Sequence, residues 1–462
     1  MKLLSLLRYH GMAGFAAKAW EKVMVDRRRF RGGNLGTGMD VPAYRQEDPP
    51  LPPDDGRPLT ILYLVHYFFP EKSGGTERFV LTQALEQKRK GRAVHIVTLS
   101  VSTQCENWEK TGGILWKDYE YQGIPVTAFR YEKTPMGVYY KRIEEDDPPM
   151  ECFARLMLER VRPSVVHCAY GQPMAAFLKV CRQREIPYIM TLTGFDSICH
   201  YTTMLDKQGQ LCPGSCGGRR CEQVCRTFGV KDYEKRYESA RRYLQGASAV
   251  TAPSGFVSQV IAQEFPGQYV RVIPHGISGG GFVERHGPVR RFAFVGTFTE
   301  LKGVHLLLDA FCTLPGDVQL HLYGTGSERY IAQLKRSSAH DSRIVWEGER
   351  APGQIGEAYA WADCVVIPSL VPETYNYVIR EALSYGCIVV ASKIGALSEV
   401  VLQGENGFLA DPGDKDSLKE ALQAAMGFSW ERYRTVPLPS PEDETKAYGA
   451  LYALVSKGGK DG

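Results

Sequence analysis

Two glutamates and a lysine have the types and spacing that could do chemistry here. Glu373 follows the apolar run Asp363-Cys364-Val365-Val366-Ile367, and Glu381 lies eight residues further along. A short continuous apolar run reads as a strand buried on both faces of a parallel sheet. A loop therefore leaves a strand's carboxyl end, carries Glu373 and feeds a helix; open α/β sheets bind ligands at that edge. The helix N-terminus before Asn376 offers free N–H groups and about half a positive charge to an anion. Glu381 is about two and a quarter turns on, so the carboxylates need not share a face. Lys302, in Gly296-x5-Lys302-Gly303, sits where a helix starts after a strand and a glycine-bearing loop, a place suited to neutralising phosphate. Taken singly, glutamates at this spacing are usually solvated helix charges, and a lone lysine is more often solvated too.

The elements that must position these groups repeat along the chain. Thr60-Ile61-Leu62-Tyr63-Leu64-Val65 reads as a buried strand. Gly74-Gly75-Thr76-Glu77 begins a helix to about Lys90 with Thr76 as its cap, and Ala93 to Leu99 is the next strand. That order makes one right-handed βαβ unit. Further strands are expected at 164–168, 188–192, 249–252 and 270–273, then at 292–296, 318–323 and 343–346. Strands alternating with helices of about ten to fifteen residues are the doubly wound signature. A hinge is expected within 282–291, and the stretch from Pro441 to Lys457 reads as helical.

With 462 residues, 44% of them hydrophobic, the chain can build two α/β domains plus extensions. No apolar run approaches the ~20 residues that cross a bilayer. The net charge of +4 is too small to argue for nucleic acid, and no such motif appears. The basic excess is local: residues 1–31 hold Lys2, Arg8, Lys18, Lys22, Arg27, Arg28, Arg29 and Arg31 against Glu21 and Asp26, interleaved with apolar residues. That composition suits an amphipathic helix on an anionic membrane or, equally, a basic helix docked on the protein's own surface. Glu47 to Pro58 reads as a linker.

The twelve cysteines look cytoplasmic in usage, because most are scattered through apolar segments. Cys199, Cys212, Cys216, Cys221 and Cys225 instead crowd one glycine-rich insert. Cys212-x3-Cys216-x4-Cys221-x3-Cys225 could wrap a tetrahedral structural zinc; free thiols and disulfides are the alternatives.

A longer series of residues resembles a family. The E-x7-E spacing, Glu381-Ala382, Gly386, Gly395, Glu399-Val400-Val401, Gly404, Asn406-Gly407-Phe408-Leu409 and Asp411-Pro412-Gly413-Asp414 together resemble the donor-binding half of group 1 (family 4) glycosyltransferases with the GT-B fold. Pro274-His275-Gly276-Ile277 looks like that family's interdomain signature. The resemblance covers roughly residues 60–457. It implies an α/β, GT-B architecture of two Rossmann-like doubly wound domains facing a cleft. The expected divisions are an extension and linker at 1–56, an acceptor domain at 57–283 with the cysteine-rich insert 197–228, a donor domain at 284–440, and a helix and tail at 441–462. That last helix would cross back to the first domain.

The resemblance also implies roles. Glu373 would contact hydroxyls of the transferred sugar and stabilise charge at its anomeric carbon. Lys302 would neutralise the leaving diphosphate, and Glu381 would accept from the nucleotide's ribose hydroxyls. Backbone at Tyr375, Asn376, Tyr377 and Val378, together with Gly296, Thr297 and the paired Gly74 and Gly75, would hold the donor. Transfer would be retaining, with no metal or other cofactor required for catalysis. A nucleotide-sugar donor and a glycan or lipid-linked acceptor would be the partners, in polysaccharide or glycoconjugate biosynthesis on the cytoplasmic side. Two departures stand out. Thr297 replaces a frequent arginine, and Thr193 stands where many relatives have a histidine, with Asp196 as a second acceptor contact. They motivate a rival reading, a catalytically weak sugar-nucleotide-binding partner of an assembly complex. An epimerase on the same fold is a further option.

Overall fold

A computed structural model describes residues 48–102, 105, 107–133, 145–226, 232–351 and 353–458. The basic stretch 1–31 lies outside them. The described residues form two compact units, 48–274 with 442–458, and 275–441.

The first unit opens with β1 (Thr60–Val65), α1 (Gly75–Arg89) and β2 (Ala93–Leu99), then β3 (Glu109–Thr111), β4 (Ile114–Tyr121) and β5 (Ile124–Tyr131). It continues through α2 (Pro148–Val161), β6 (Val165–Cys168), α3 (Ala175–Gln183), β7 (Tyr188–Thr191), α4 (Arg219–Val224), α5 (Tyr233–Gln245), β8 (Ala249–Ala252), α6 (Gly255–Glu264) and β9 (Arg271–Val272). Among the described residues these strands make one nine-stranded sheet in the order β3-β4-β5-β2-β1-β6-β7-β8-β9. β1 pairs in parallel with β2 and with β6, so the chain winds away from β1 in both directions. The point where it reverses lies between β1 and β6.

Three expectations need correction here. The sequence reading assigned no strands to 109–131, yet β4 and β5 form an antiparallel hairpin. Gln122 and Gly123 turn it with φ of 50° and 76°, the positive-φ pair that matches strand twist in a tight hairpin. Thr76 does not cap α1: Gly74 is the N-cap, without a side-chain bond, and the Thr76 hydroxyl donates elsewhere. The supposed linker is tied down as well. Asp48 accepts from the Val272 N–H at 2.9 Å and from the Tyr269 hydroxyl at 2.9 Å, and Asp54 pairs with the buried Arg92.

The second unit comprises β10 (Arg291–Val295), a 3-10 turn (Glu300–Lys302), α7 (Val304–Phe311), β11 (Gln319–Tyr323), α8 (Glu328–Ser337), β12 (Ile344–Gly348), α9 (Ile355–Trp361), β13 (Cys364–Ile367), α10 (Tyr377–Ser384), β14 (Ile388–Ser392), β15 (Gly407–Ala410) and α11 (Lys415–Met426). Its six strands run in the order β12-β11-β10-β13-β14-β15, all parallel. Phe292, Leu307, Phe311, Leu320, Val366, Ile388 and Leu422 fill its core. The chain enters this unit at His275, upstream of the 282–291 stretch expected as a hinge. The reason is anchoring: Ile277 N–H donates to Pro439 O at 2.8 Å, and buried Arg285 donates to the carbonyls of Ala362 at 2.9 Å and Tyr385 at 2.6 Å.

The last helix, α12 (Pro441–Val455), packs into the first unit's core beside Tyr63, Val65 and Phe79. Its Tyr452 hydroxyl lies 2.6 Å from His167 Nδ1 and 3.1 Å from the Tyr63 hydroxyl, while Tyr448 reaches Thr191 at 3.0 Å. Every one of these polar atoms is buried and partnered, which fixes the helix's rotation as well as its depth.

Candidate active site

In the second unit the sheet reverses between β10 and β13, and the loops after those two strands carry Lys302 and Glu373. Lys302 Nζ lies 2.6 Å from Glu373 Oε1, and the Ser369 hydroxyl donates to the same oxygen at 2.7 Å. The loops are locked together by Leu370 N–H donating to Leu301 O at 2.8 Å. Gly303 makes the approach feasible. It sits at φ 69°, and a Cβ there would stand 1.9 Å from the Pro368 carbonyl oxygen. Lys302 closes a 3-10 turn ahead of α7 rather than opening the helix itself.

Burial works to raise the Glu373 carboxyl, but the Lys302 ammonium and the hydrogen bonds from Lys302, Ser369 and Asn376 outweigh it. Its affinity for a proton is held below the ordinary range, so it is a carboxylate at neutral pH. Its side chain is 13% exposed and that of Lys302 34%, so a ligand at this edge meets both.

The helix that follows is set by Asn376, which stands at φ 62° and accepts from the Ile379 N–H at 3.0 Å. Asparagine tolerates that backbone better than other non-glycine residues and caps with its own oxygen. Tyr375 is buried: its hydroxyl donates to His275 O, and the Arg380 guanidinium lies 3.7 Å above its ring. Tyr377 stacks in parallel with the His275 ring, and Val378 is half-buried. Glu381 is buried in α10, and Tyr359 donates to its Oε2 at 2.7 Å. Gly296, at φ 148°, and the exposed Thr297 end β10 on the same edge of the sheet.

The first unit's reversal point is built differently. Thr76, after Gly74 and Gly75, donates to the Thr193 hydroxyl at 2.8 Å, which donates to Ala169 O at 2.7 Å. The Thr193 proton is thus committed to the protein. His66, just past β1, stacks on Tyr170, just past β6, with ring centroids 3.9 Å apart, and its Nε2 lies 3.5 Å from Glu77 Oε1. Asp196 is not at this surface. It is 2% exposed, accepts from the Gln172 N–H at 2.9 Å, and burial pushes its carboxyl up to about 6.

Comparison with known proteins fits both halves of this arrangement. Residues 73–278 match the family model described as Glycosyltransferase Family 4, and residues 289–427 the one described as Glycosyl transferases group 1. The chain belongs to the group 1, family 4 glycosyltransferases.

Its similarity to curated members of this glycosyltransferase family is partial in length. It is 26% identical over 203 residues to the lipopolysaccharide 1,2-N-acetylglucosaminetransferase of Salmonella typhimurium, covering 38% of this chain and 52% of that one. It is 34% identical over 142 residues to the phosphatidyl-myo-inositol mannosyltransferase of Mycobacterium leprae, covering 29% of this chain and 36% of that one. The chain thus spans about half the length of these relatives or less. Solved structures share the whole GT-B fold. Sucrose-phosphate synthase from Thermosynechococcus elongatus aligns with a TM-score of 0.63 at 18% identity, over 87% of this chain and 100% of that one. Anabaena HepE in complex with UDP aligns with a TM-score of 0.55 at 17% identity, over 87% and 98%.

The cysteine-rich insert departs from the expected ligand set. Cys212, Cys221 and Cys225 are buried, but Cys216 is exposed and sits at φ 52° in a tight turn. Cys199, outside that set, is buried instead. Among the described residues no group of three or more His, Cys, Asp or Glu is arranged to hold a metal ion. Sequence reasoning also missed Ser369, Tyr359 and His66. The serine two residues after β13 was a usable signal for the first; the other two meet their glutamates only through the fold.

Proposed function

We propose that the chain is a retaining glycosyltransferase that moves a sugar from a nucleotide-sugar donor to a glycan or lipid-linked acceptor, without a catalytic metal. The observation that carries this reading is the Lys302–Glu373 pair at the second unit's reversal point, 2.6 Å apart. In the proposed reaction the bond from the anomeric carbon to the diphosphate oxygen breaks, and the acceptor oxygen bonds on the same face. The acceptor's proton passes to the departing phosphate oxygen. Lys302 neutralises charge on that diphosphate, while Glu373, held ionised, faces the positive charge developing at the anomeric carbon and accepts from sugar hydroxyls. Glu381, which accepts from the Tyr359 hydroxyl, is the group proposed to accept from the ribose hydroxyls.

A lipid-linked acceptor is supported by the names of two relatives, a lipopolysaccharide N-acetylglucosaminetransferase and a phosphatidyl-myo-inositol mannosyltransferase. Among the described residues no helix is long and apolar enough to cross a membrane. Peripheral attachment at the cytoplasmic face through residues 1–31 is part of the proposal. Deleting them should release the protein from anionic liposomes.

The deciding experiment is nucleotide release from UDP-, GDP- and ADP-sugars by the purified chain, with Glu373→Ala and Lys302→Ala alongside. Slow hydrolysis of one donor, insensitive to chelator and lost in both variants, is expected; NMR of the transferred product should show the donor's anomeric configuration kept. Donor binding without release, even with lipid-linked acceptors present, would favour a non-catalytic role.

A further inference from the structure

The first unit carries a cluster that the reading above leaves unused. Its sheet reverses between β1 and β6, and in open α/β sheets the crevice outside the carboxyl ends at such a point receives the ligand. His66, directly after β1, and Tyr170, two residues after β6, stack face to face at 3.9 Å. Glu77, in the first turn of α1, lies beneath the exposed Gly74-Gly75 loop and is itself 5% exposed. A Cβ on Gly74 would stand 2.7 Å from Glu77 Oε2, so the bare glycine is what lets this carboxyl lie against the loop. The Thr76 hydroxyl, next to Glu77 in the chain, donates to the Thr193 hydroxyl at 2.8 Å.

We propose that Glu77, seated by His66 at this crevice, is the group that accepts a hydrogen bond from a hydroxyl of the sugar acceptor. The inference rests on the glycosyltransferase reading and adds a residue to it. The crevice presents a buried carboxyl, a histidine that burial holds neutral, and two hydroxyls, groups that exchange hydrogen bonds with a polyol. Burial also raises Glu77 to about 7, against a smaller lowering by Lys72, while Tyr67 beside it is pushed up to about 12. Of the groups facing Glu77, namely His66, Tyr67, Lys72 and its own helix N-terminus, neither His66 nor Tyr67 changes charge near pH 7. A pH dependence in that range therefore reports Glu77.

The test is saturation-transfer NMR on the full chain with methyl α-D-glucopyranoside, methyl α-D-mannopyranoside and methyl N-acetyl-β-D-glucosaminide as probes. It compares wild type, Glu77→Gln and Glu77→Asp, with circular dichroism melts to verify folding. At least one glycoside should give transfer that grows as pH rises through about 7. Glu77→Gln should cut it at least fivefold and remove the pH step; Glu77→Asp should retain part of both. Equal transfer in wild type and Glu77→Gln overturns the inference, as does absence of transfer from all three glycosides in wild type. Loss of donor hydrolysis from wild type itself would instead count against the parent reading, so the two failures are distinguishable.

Discussion

The two sheets place a glutamate at the same topological point, outside the reversal of strand order, and treat it in opposite ways. In the second unit Glu373 meets an ammonium at 2.6 Å and a serine hydroxyl at 2.7 Å, and its carboxylate is kept ionised despite burial. In the first unit Glu77 meets an imidazole that burial holds near 3, far below its ordinary range, and its own carboxyl is raised to about 7. The 3.5 Å contact between His66 and Glu77 is therefore no ion pair at neutral pH. One fold thus supplies two edges: one with a charge pair that persists at neutral pH and one whose carboxyl changes charge near neutrality. What distinguishes them is the partner that the neighbouring loop supplies, since the position of the glutamate is shared.

The largest effect should come from breaking the charged edge. Glu373→Ala or Lys302→Ala should lower donor turnover by about 10² to 10³, the range for removing one group that stabilises developing charge. The double variant should cost little more than either single one, because the two act as a pair. Single-turnover nucleotide release measures this.

Gly303→Ala is the next in size. The added methyl would meet the Pro368 oxygen at a φ of 69°, so a loss of about 3 kcal/mol or more in urea unfolding is expected. Turnover should fall with it, because the Lys302 and Glu373 loops are held by that approach.

The pH dependence of stability should separate the two glutamates by sign. Glu373 is depressed in the folded state, so its contribution is present above the ordinary carboxylate range and is lost as pH falls through its folded value. Glu77 is raised from 4.5 to about 7, so its contribution is present below about 4.5 and lost as pH rises toward 7. His66, lowered from 6.5 to about 3, loses its contribution as pH falls from about 6.5. Glu77 and His66 therefore offset each other between about 4.5 and 6.5. Glu77→Gln should be more stable than wild type at pH 8 and should show a steeper acid loss below 6.5, now that His66 acts alone. Glu373→Gln should instead flatten the loss at the acid end. Melting temperatures across pH 3 to 9 would test both, and parallel curves for the two variants would contradict the comparison.

The smallest effect should be Tyr452→Phe, which removes a buried hydroxyl from His167 and Tyr63. About 1 to 2 kcal/mol of stability should be lost, with donor turnover unchanged in the protein that remains folded.

The charged edge was legible in the sequence because its elements are close in sequence and carry fixed spacings. Gly296-x5-Lys302-Gly303 and the eight residues from Glu373 to Glu381 each lie within one strand-loop-helix unit. Two of the strands flanking them, β10 and β13, are continuous apolar runs, found to within a residue or so of their ends. The other edge was not legible. His66, Glu77 and Tyr170 come from three segments, and which loops meet depends on strand order, which local periodicity does not encode. The hairpin β4–β5 was missed for a related reason. β4 is buried only at Ile114 and Trp116 and is partly solvated thereafter, so it lacks the apolar run that marked the parallel strands. In the cysteine insert, spacing selected Cys216, whereas burial selects Cys199.

The return of α12 to the first unit has a consequence for biosynthesis. Residues 275–441 form a compact unit from one continuous stretch, but the first unit is complete only with 442–458. On the ribosome the second unit can close as soon as its own residues emerge. The earlier-made sheet must wait, with Tyr63 and His167 unpartnered by Tyr452, until residues 442–458 have been synthesised. The half translated first is thus the half that matures last, and a chain ending shortly after residue 441 would have a finished second unit and an open first one.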